Sequence, residues 1–420
     1  MRSSYLKVDR TLKQLFRLFF RFPQASATRK INANKIAQKR AAMEKDTHTH
    51  TQQEIYPNSA KIEELESIRG IAALLIIFFH LPKWNPILDI GLVNNGYLMV
   101  ELFFVLSGFV IFNAYAEKIT TQKDLFRFQL LRFGRLYPVH LLFLLVFLGI
   151  EIAKYLASTK LGISSPNSIP FETNNFSAFV KNIFLISSVL PNQSLTYNYP
   201  AWSISVEFYT YLVFGASILL VKKSNVMFFT AISFIALLML VTENTFGFES
   251  MLRCFAGFFI GCLTAKFTKG SKTNLPNFYS VIAFFAIVSF LQLKTTKDFD
   301  LLIYFLTAAL IATLVLSKNG TLKTILRFKF LTWLGAVSYS VYMSHATIEW
   351  VVNQVIRVVL KKPEIVGVDG KSIPQLSQLE TLFACVVVAS VVLIVSAFVY
   401  NFIEKPMREK SRRLAFSKLN

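Results

Sequence analysis

Apolar residues come in long runs from about residue 65 onward: 65–81, 97–116, 136–156, 203–221, 226–242, 251–267, 278–292, 301–317, 333–355 and 379–402. A helix needs about 20 apolar residues to cross a hydrocarbon core, and several runs reach that length. The shorter ones need neighbouring helices or a locally thinned bilayer. Backbone groups in lipid have no water to bond, so each run must satisfy its own N–H and C=O groups, as a helix does. The pattern predicts an all-α, polytopic transmembrane helical bundle of about ten helices, occupying residues 61–405. Residues 1–60 break the pattern. They are basic, polar and acid-poor, with an apolar patch at 15–20 too short to span. They read as a disordered cytoplasmic extension or a basic amphipathic helix on the membrane face. Residues 406–420 read as a basic cytoplasmic tail.

Composition strengthens this reading. The 420 residues are 54% hydrophobic and include 42 Phe, whereas only 16% are charged; a soluble domain carries about 25%. The formal charge of +21 would suit nucleic acid if it formed one patch. Instead the basic residues gather in loops and tails, where the positive-inside rule puts them, so the lipid bilayer is the partner and nucleic acid is not. Basic loops at 117–135, 222–225, 267–277 and 318–332 alternate with loops poorer in Lys and Arg, except 356–378 with Arg357, Lys361, Lys362 and Lys371. An even number of spans with both termini cytoplasmic fits these charges. The loop 157–202 is then external, as a lid, an acceptor surface or a plain connector. Cys254, Cys262 and Cys385 lie in apolar runs without a C-x-x-C pair, which suggests neither a disulfide framework nor a metal site.

Ionisable residues at membrane depth are costly, and they mark functional hypotheses. Span order sorts them into two levels. Arg69, Arg132 and Arg135 lie near the cytoplasmic side. His80, Glu101, Glu207 and His345 converge nearer the outside, and Arg253 opens the sixth span. His140, near the inner end of its span, reads as a packing residue. Arg69 and His80 are eleven residues apart, close to three helical turns, so they share a face about 16 Å apart. Guanidinium groups suit phosphates. A histidine near carboxylates suits proton transfer, with a carboxylate fixing the tautomer. A long ligand with phosphates at one end and a reactive group at the other would bridge the levels.

Several stretches resemble the membrane-bound acyltransferase-3 family: Arg69-x10-His80, Glu101-Leu-Phe-Phe-Val-Leu-Ser-Gly-Phe109, Arg132-Phe-Gly-Arg-Leu-Tyr-Pro138, Trp202-Ser-Ile-Ser-Val-Glu207, Ser338-Tyr-Ser-Val-Tyr-Met-Ser-His345 and Ile403-Glu-Lys-Pro-Met-Arg408. They fall in the family's order over residues 62–410. The resemblance implies O-acyl transfer from acyl-CoA, most often acetyl-CoA, to a hydroxyl of a cell-envelope glycan or related carbohydrate, at a bacterial inner membrane. Acyl-CoA would be a co-substrate, with no resident cofactor or metal. By the same match His80 is the catalytic residue, Glu207 and Glu101 assist it, and Arg69, Arg132 and Arg135 take the donor. His345, Trp202 and Ser203 are further candidates.

His80 would act as general base in direct transfer or would carry the acyl group itself. Leu131 and Phe208 depart from the family pattern, at positions where relatives often carry a second Arg and a second polar group. The acceptor and the oligomeric state are left open. A transporter or flippase of glycan or acyl compounds is the alternative, since buried charge also lines transport paths; a non-catalytic partner of a glycan-assembly complex is another.

Overall fold

The computed structural model describes residues 62–417, apart from 164, 193, 222–224 and 368–369. The predicted 1–60 extension lies outside the described residues. Every apolar run is helical. The helices are α1 (Glu63–His80), the short α2 (Gly91–Asn94), α3 (Met99–Tyr115), α4 (Gln122–Leu161), α5 (Phe176–Ile183), α6 (Ala201–Val221) and α7 (Asn225–Val241). There follow α8 (Glu249–Thr268), α9 (Phe278–Leu293), α10 (Leu302–Leu316), α11 (Thr321–Leu326), α12 (Lys329–Gln354), α13 (Gln378–Val399) and α14 (Lys405–Ser417).

Five helical stretches are long and apolar enough to cross a membrane: Gly96–Tyr115, Gln122–Leu161, Ala201–Val221, Glu249–Thr268 and Gln378–Ser417; α7, α9 and α10 are shorter apolar helices. Large apolar side chains such as Phe234, Phe285, Phe383 and Phe402 stand exposed on the outer faces. That inverts a soluble protein's surface and matches lipid as solvent. α1 and α12, which belong to neither set, carry His80 and His345.

Helix ends differ from the sequence expectation in two places. The third predicted span, α4, begins at Gln122 and not near 136, so Arg132 and Arg135 lie on a helix and not in a loop. The cause is a capping box: Asp124 N–H donates to Thr121 Oγ1 at 3.2 Å, and Thr121 N–H donates back to Asp124 Oδ2 at 3.0 Å. This helix runs through Pro138 and stops at Gly162, whose φ of 66° needs no Cβ. The basic stretch after 405 is helical to Ser417, joined to α13 by a π-helical turn at Tyr400–Glu404.

The 356–378 loop holds a small antiparallel hairpin, β1 (Glu364–Val366) with β2 (Ser372–Pro374), in register Ile365↔Ile373. Two of the basic residues that made this loop an exception are neutralised locally, Arg357 by Glu364 at 2.9 Å and Lys362 by Glu380 at 2.6 Å.

Glycines set the two helix crossings that matter for function. α1 packs on α12 and α3 on α8. A Cβ on Gly70 would come within 2.7 Å of the Gly335 backbone nitrogen, and one on Gly335 would strike the Glu66 carbonyl. Likewise a Cβ on Gly108 would collide with the Phe258 carbonyl, and one on Gly261 with the Val105 carbonyl. Small residues at such crossings let membrane helices approach closely. Gly335→Ala should therefore destabilise the bundle by about 1–3 kcal/mol through overpacking. Thermal unfolding in detergent would show a lower Tm for it than for Gly149→Ala, a position where an added Cβ meets nothing within 4 Å.

Candidate active site

Three arginines wall one narrow cavity. Arg69 of α1 and Arg132 and Arg135 of α4 line it, with Ser107 of α3, Glu207 and Tyr211 of α6, and Tyr339 and Tyr342 of α12; its volume is about 80 Å³. Rings hold Arg132: its guanidinium lies 5.1 Å from the centre of Tyr115, 5.8 Å from Phe128 and 5.9 Å from Tyr211. It also donates to Tyr115 Oη at 2.9 Å, while its buried Nε has no hydrogen-bond partner among the described residues. Arg69 lies 3.7 Å from Glu66. Glu207 accepts from Tyr211 Oη at 2.6 Å, and that hydroxyl is 2.9 Å from Ser107 Oγ. Three guanidinium groups and one carboxylate, Glu207, line the cavity, with Glu66 beside Arg69 outside it; the guanidinium N–H donors suit an anionic group able to take several of them.

Phe103 and Tyr342 close the far end of this cavity, their rings 6.0 Å apart and nearly perpendicular. Tyr342 is pinned: its hydroxyl donates to the Pro200 carbonyl at 3.0 Å and lies 2.9 Å from Ser203 Oγ. One side-chain layer beyond it is His345, 5.8 Å from Tyr342 between ring centres, and next to that is His80, 5.0 Å from His345. Both histidines are brought together by the tight α1–α12 crossing.

His80 Nδ1 lies 3.0 Å from the Ile76 carbonyl oxygen. A carbonyl only accepts, so Nδ1 carries the proton and Nε2 keeps its lone pair. The backbone, then, sets this tautomer. Neither carboxylate expected to hold the imidazole hydrogen-bonds it. Glu207 sits in the arginine cavity, below the histidine layer. Glu101 is 3% exposed and is gripped by Arg253, whose Nε donates to it at 2.7 Å and whose Nη2 forms a second, shorter bond. The Arg253 guanidinium also stacks on Trp202, 4.7 Å from the ring centre. Trp202 and Glu101 thus belong to a polar clamp between α3, α6 and α8.

Three further buried or part-buried polar positions around the histidines and arginines escaped the sequence reading. Tyr199 stacks 4.9 Å from His80 and donates to Glu349 Oε2 at 2.9 Å. Glu349 lies four residues after His345, and that spacing on an apolar helix was a readable signal. Tyr199 is in a loop and gave none. Glu404, fully buried on the π-helical turn, accepts from Ser340 Oγ at 2.8 Å; it stood in the closing motif without a role.

The segment predicted as the loop 157–202 carries α5 and is tied to the bundle at its end. Asn198 Nδ2 donates to the Met343 carbonyl at 3.0 Å, which ties the loop's end to α12. His140, fully buried, lies 2.9 Å from the Asn182 carbonyl and holds α5 in place.

Comparison with known proteins agrees with this architecture. Residues 62–400 match the acyltransferase-3 family model, described as an acyltransferase domain. The chain belongs to the acyltransferase-3 family. It is 29% identical over 178 residues to the acyltransferase MdmB of Streptomyces mycarofaciens, covering 40% of this chain and 42% of that protein. It is 25% identical over 390 residues to YrhL of Bacillus subtilis (strain 168), provisionally named a peptidoglycan O-acetyltransferase, covering 84% of this chain and 56% of that protein. A third relative, protein 2 in the picA locus of Rhizobium radiobacter, is 37% identical over 106 residues, 24% of this chain and 50% of that protein. The chain spans about half the length of these curated relatives. No solved structure matches it. As an acyltransferase-3 protein with several apolar spanning helices, it is an integral membrane protein.

Proposed function

We propose that this acyltransferase moves an acetyl group from acetyl-CoA to a hydroxyl of a cell-envelope glycan, with the arginine end of the bundle facing the cytoplasm of a bacterial inner membrane. The observation that carries this reading is the arginine-walled cavity ending one side-chain layer from the paired histidines. In it Arg69, Arg132 and Arg135 hold the phosphates of the donor, and the thin pantetheine arm passes Phe103 and Tyr342 to deliver the thioester beside His80. The name of the Bacillus relative supports a glycan acceptor, and the basic loops support the orientation.

His80 Nε2 takes the proton of the acceptor hydroxyl as that oxygen attacks the thioester carbon. The tetrahedral intermediate collapses, the C–S bond breaks, and the proton passes from His80 to the departing CoA thiolate. An ester and free CoA result. Glu207 holds Tyr211 at the cavity wall, and Glu101 anchors Arg253; both act on the shape of the site.

Membrane vesicles holding the protein, supplied with radiolabelled acetyl-CoA and an envelope glycan extract, should move label into glycan with stoichiometric release of free CoA thiol. Acyl-CoA-independent movement of glycan across the vesicle wall, with no label transferred, would favour transport instead. Arg132→Ala and Arg135→Ala should each raise the KM for acetyl-CoA at least tenfold, since a hydrogen bond to a charged group contributes about 1.5–3 kcal/mol. Arg132→Lys should rescue only in part, because an ammonium lacks the planar face that stacks on Tyr115.

A further inference from the structure

Three buried polar atoms near His80 make no close hydrogen bond to another element among the described residues: Nδ1 and Nε2 of His345, whose ring interacts with the carbonyls of Val341 and Tyr342 on its own helix, and Oε1 of Glu349. Buried polar atoms are nearly always paired, so orphans gathered at one place call for an explanation. These lie one turn apart on a single face of α12. Tyr342, His345 and Glu349 occupy successive turns of that face, at i, i+3 and i+7. Tyr342 closes the arginine cavity, His345 touches His80, and Glu349 lies beyond them, about 10 Å from Tyr342 by helical rise. The fourth member, Tyr199, bridges the ends of this row. Its ring packs on His80, 4.9 Å between centres, and its hydroxyl donates to Glu349. It is held rigidly, because Asn198 before it is bonded to Met343 and the Pro200 carbonyl after it accepts from Tyr342.

We propose that Tyr199, His345 and Glu349 form the acceptor subsite, a seat for a neutral polyhydroxyl group that presents one hydroxyl to His80 and a neighbouring hydroxyl to Glu349. Its role rests on the acyl-transfer reading above, though its existence does not. The free atoms fix the class of ligand. With Tyr199 donating to Oε2, the buried Oε1 is left for one further hydrogen-bonding group; a neutral hydroxyl meets it without bringing a charge into a buried site, which a phosphate or carboxylate would do. Imidazole nitrogens take the donor or acceptor part a hydroxyl needs. The placement also suits the chemistry. The donor arrives from the arginine side, past Tyr342, and the subsite approaches His80 from the opposite side of that row. Donor and acceptor therefore meet at His80 without sharing a path. Glu349 and Tyr199 bind the acceptor in this scheme and take no part in donor binding.

The test uses the full chain in nanodiscs with a neutral chito-oligosaccharide as the probe. Binding is measured without acetyl-CoA, and transfer kinetics with it. Glu349→Gln keeps the shape of the side chain but exchanges one carboxyl oxygen for an amide donor; Tyr199→Phe keeps the ring over His80 and frees Glu349 Oε2. Each should weaken oligosaccharide binding and raise its KM at least tenfold, with the KM for acetyl-CoA changed less than twofold. Transfer by the parent protein with an oligosaccharide KM unchanged in both variants would overturn the subsite and leave the acyl-transfer reading standing. A parallel rise in both KM values would also overturn it, since that marks a general distortion of the site. Oligosaccharide binding that both variants weaken, in a protein that transfers no acetyl group, would support the subsite and defeat the donor assignment.

Discussion

His80→Ala is expected to abolish acetyl transfer, with a fall of about 10²–10⁴-fold for the loss of a positioned general base. The expectation rests on geometry. His80 Nδ1 is engaged by the Ile76 carbonyl, so the single free ring nitrogen is the basic one, and it stands at the meeting point of the arginine cavity and the Tyr199–Glu349 side. Folding should survive the change. His80 is the last residue of α1, it is only half-buried, and the backbone bonds of its helix do not depend on its ring. His80→Gln, which can hydrogen-bond but cannot take a proton at neutral pH, should be equally inactive. The measurement is label moved from acetyl-CoA to glycan in vesicles, alongside the Tm of the purified variant. A variant that keeps a tenth of the parent rate would remove His80 from the mechanism. If His80 instead carried the acyl group, label on the parent protein in the absence of acceptor, lost rapidly in acid and to hydroxylamine as an acylimidazole is, would reveal it.

Arg253→Met should be the most destabilising of the substitutions considered. It leaves the Glu101 carboxyl buried and without either guanidinium bond, and breaking one half of a buried ion pair costs about 3–5 kcal/mol. The stacking of Arg253 on Trp202 is lost as well. The double variant Glu101→Leu/Arg253→Met should recover most of that stability, because an apolar pair of similar volume often replaces a buried ion pair without net cost. Thermal unfolding of the two singles and the double closes the cycle. Transfer activity then assigns the role of Glu101. Recovery of at least half the parent rate in the stable double variant identifies the pair as a clamp for α3 and α8. A stable but inactive double would place Glu101 in the chemistry.

Much of the fold was legible in the sequence because lipid imposes one rule everywhere. A long apolar run must close its own backbone hydrogen bonds, so each run from 65 to 402 could be read as a helix and its ends placed within a few residues. The exception shows where that rule stops. The start of α4 at Gln122 is set by a polar capping box at Thr121 and Asp124, outside the apolar signal. Likewise the sequence ordered Arg69, Arg132 and Arg135 on one level through helical rise, and the structure lines one cavity with all three.

Partners across the bundle were beyond the sequence. The distance along a helix says which level a residue occupies, but not which neighbour it faces. Glu101, Glu207 and His80 looked equivalent in depth. Close glycine crossings bring α3 against α8 and α1 against α12, so Glu101 meets Arg253 and His80 meets His345, while Glu207 turns to Tyr211. Tyr199 reaches His80 only because Asn198 and Pro200 tie the end of a long loop to α12. Sequence alone determined that this chain is a helical membrane protein of the acyltransferase-3 kind, since span length, charge placement and motif order are local properties. The pairing of its buried polar groups was decided by tertiary structure, since it depends on how rigid helices rotate and approach, and a van der Waals collision at a single Cβ is enough to change that.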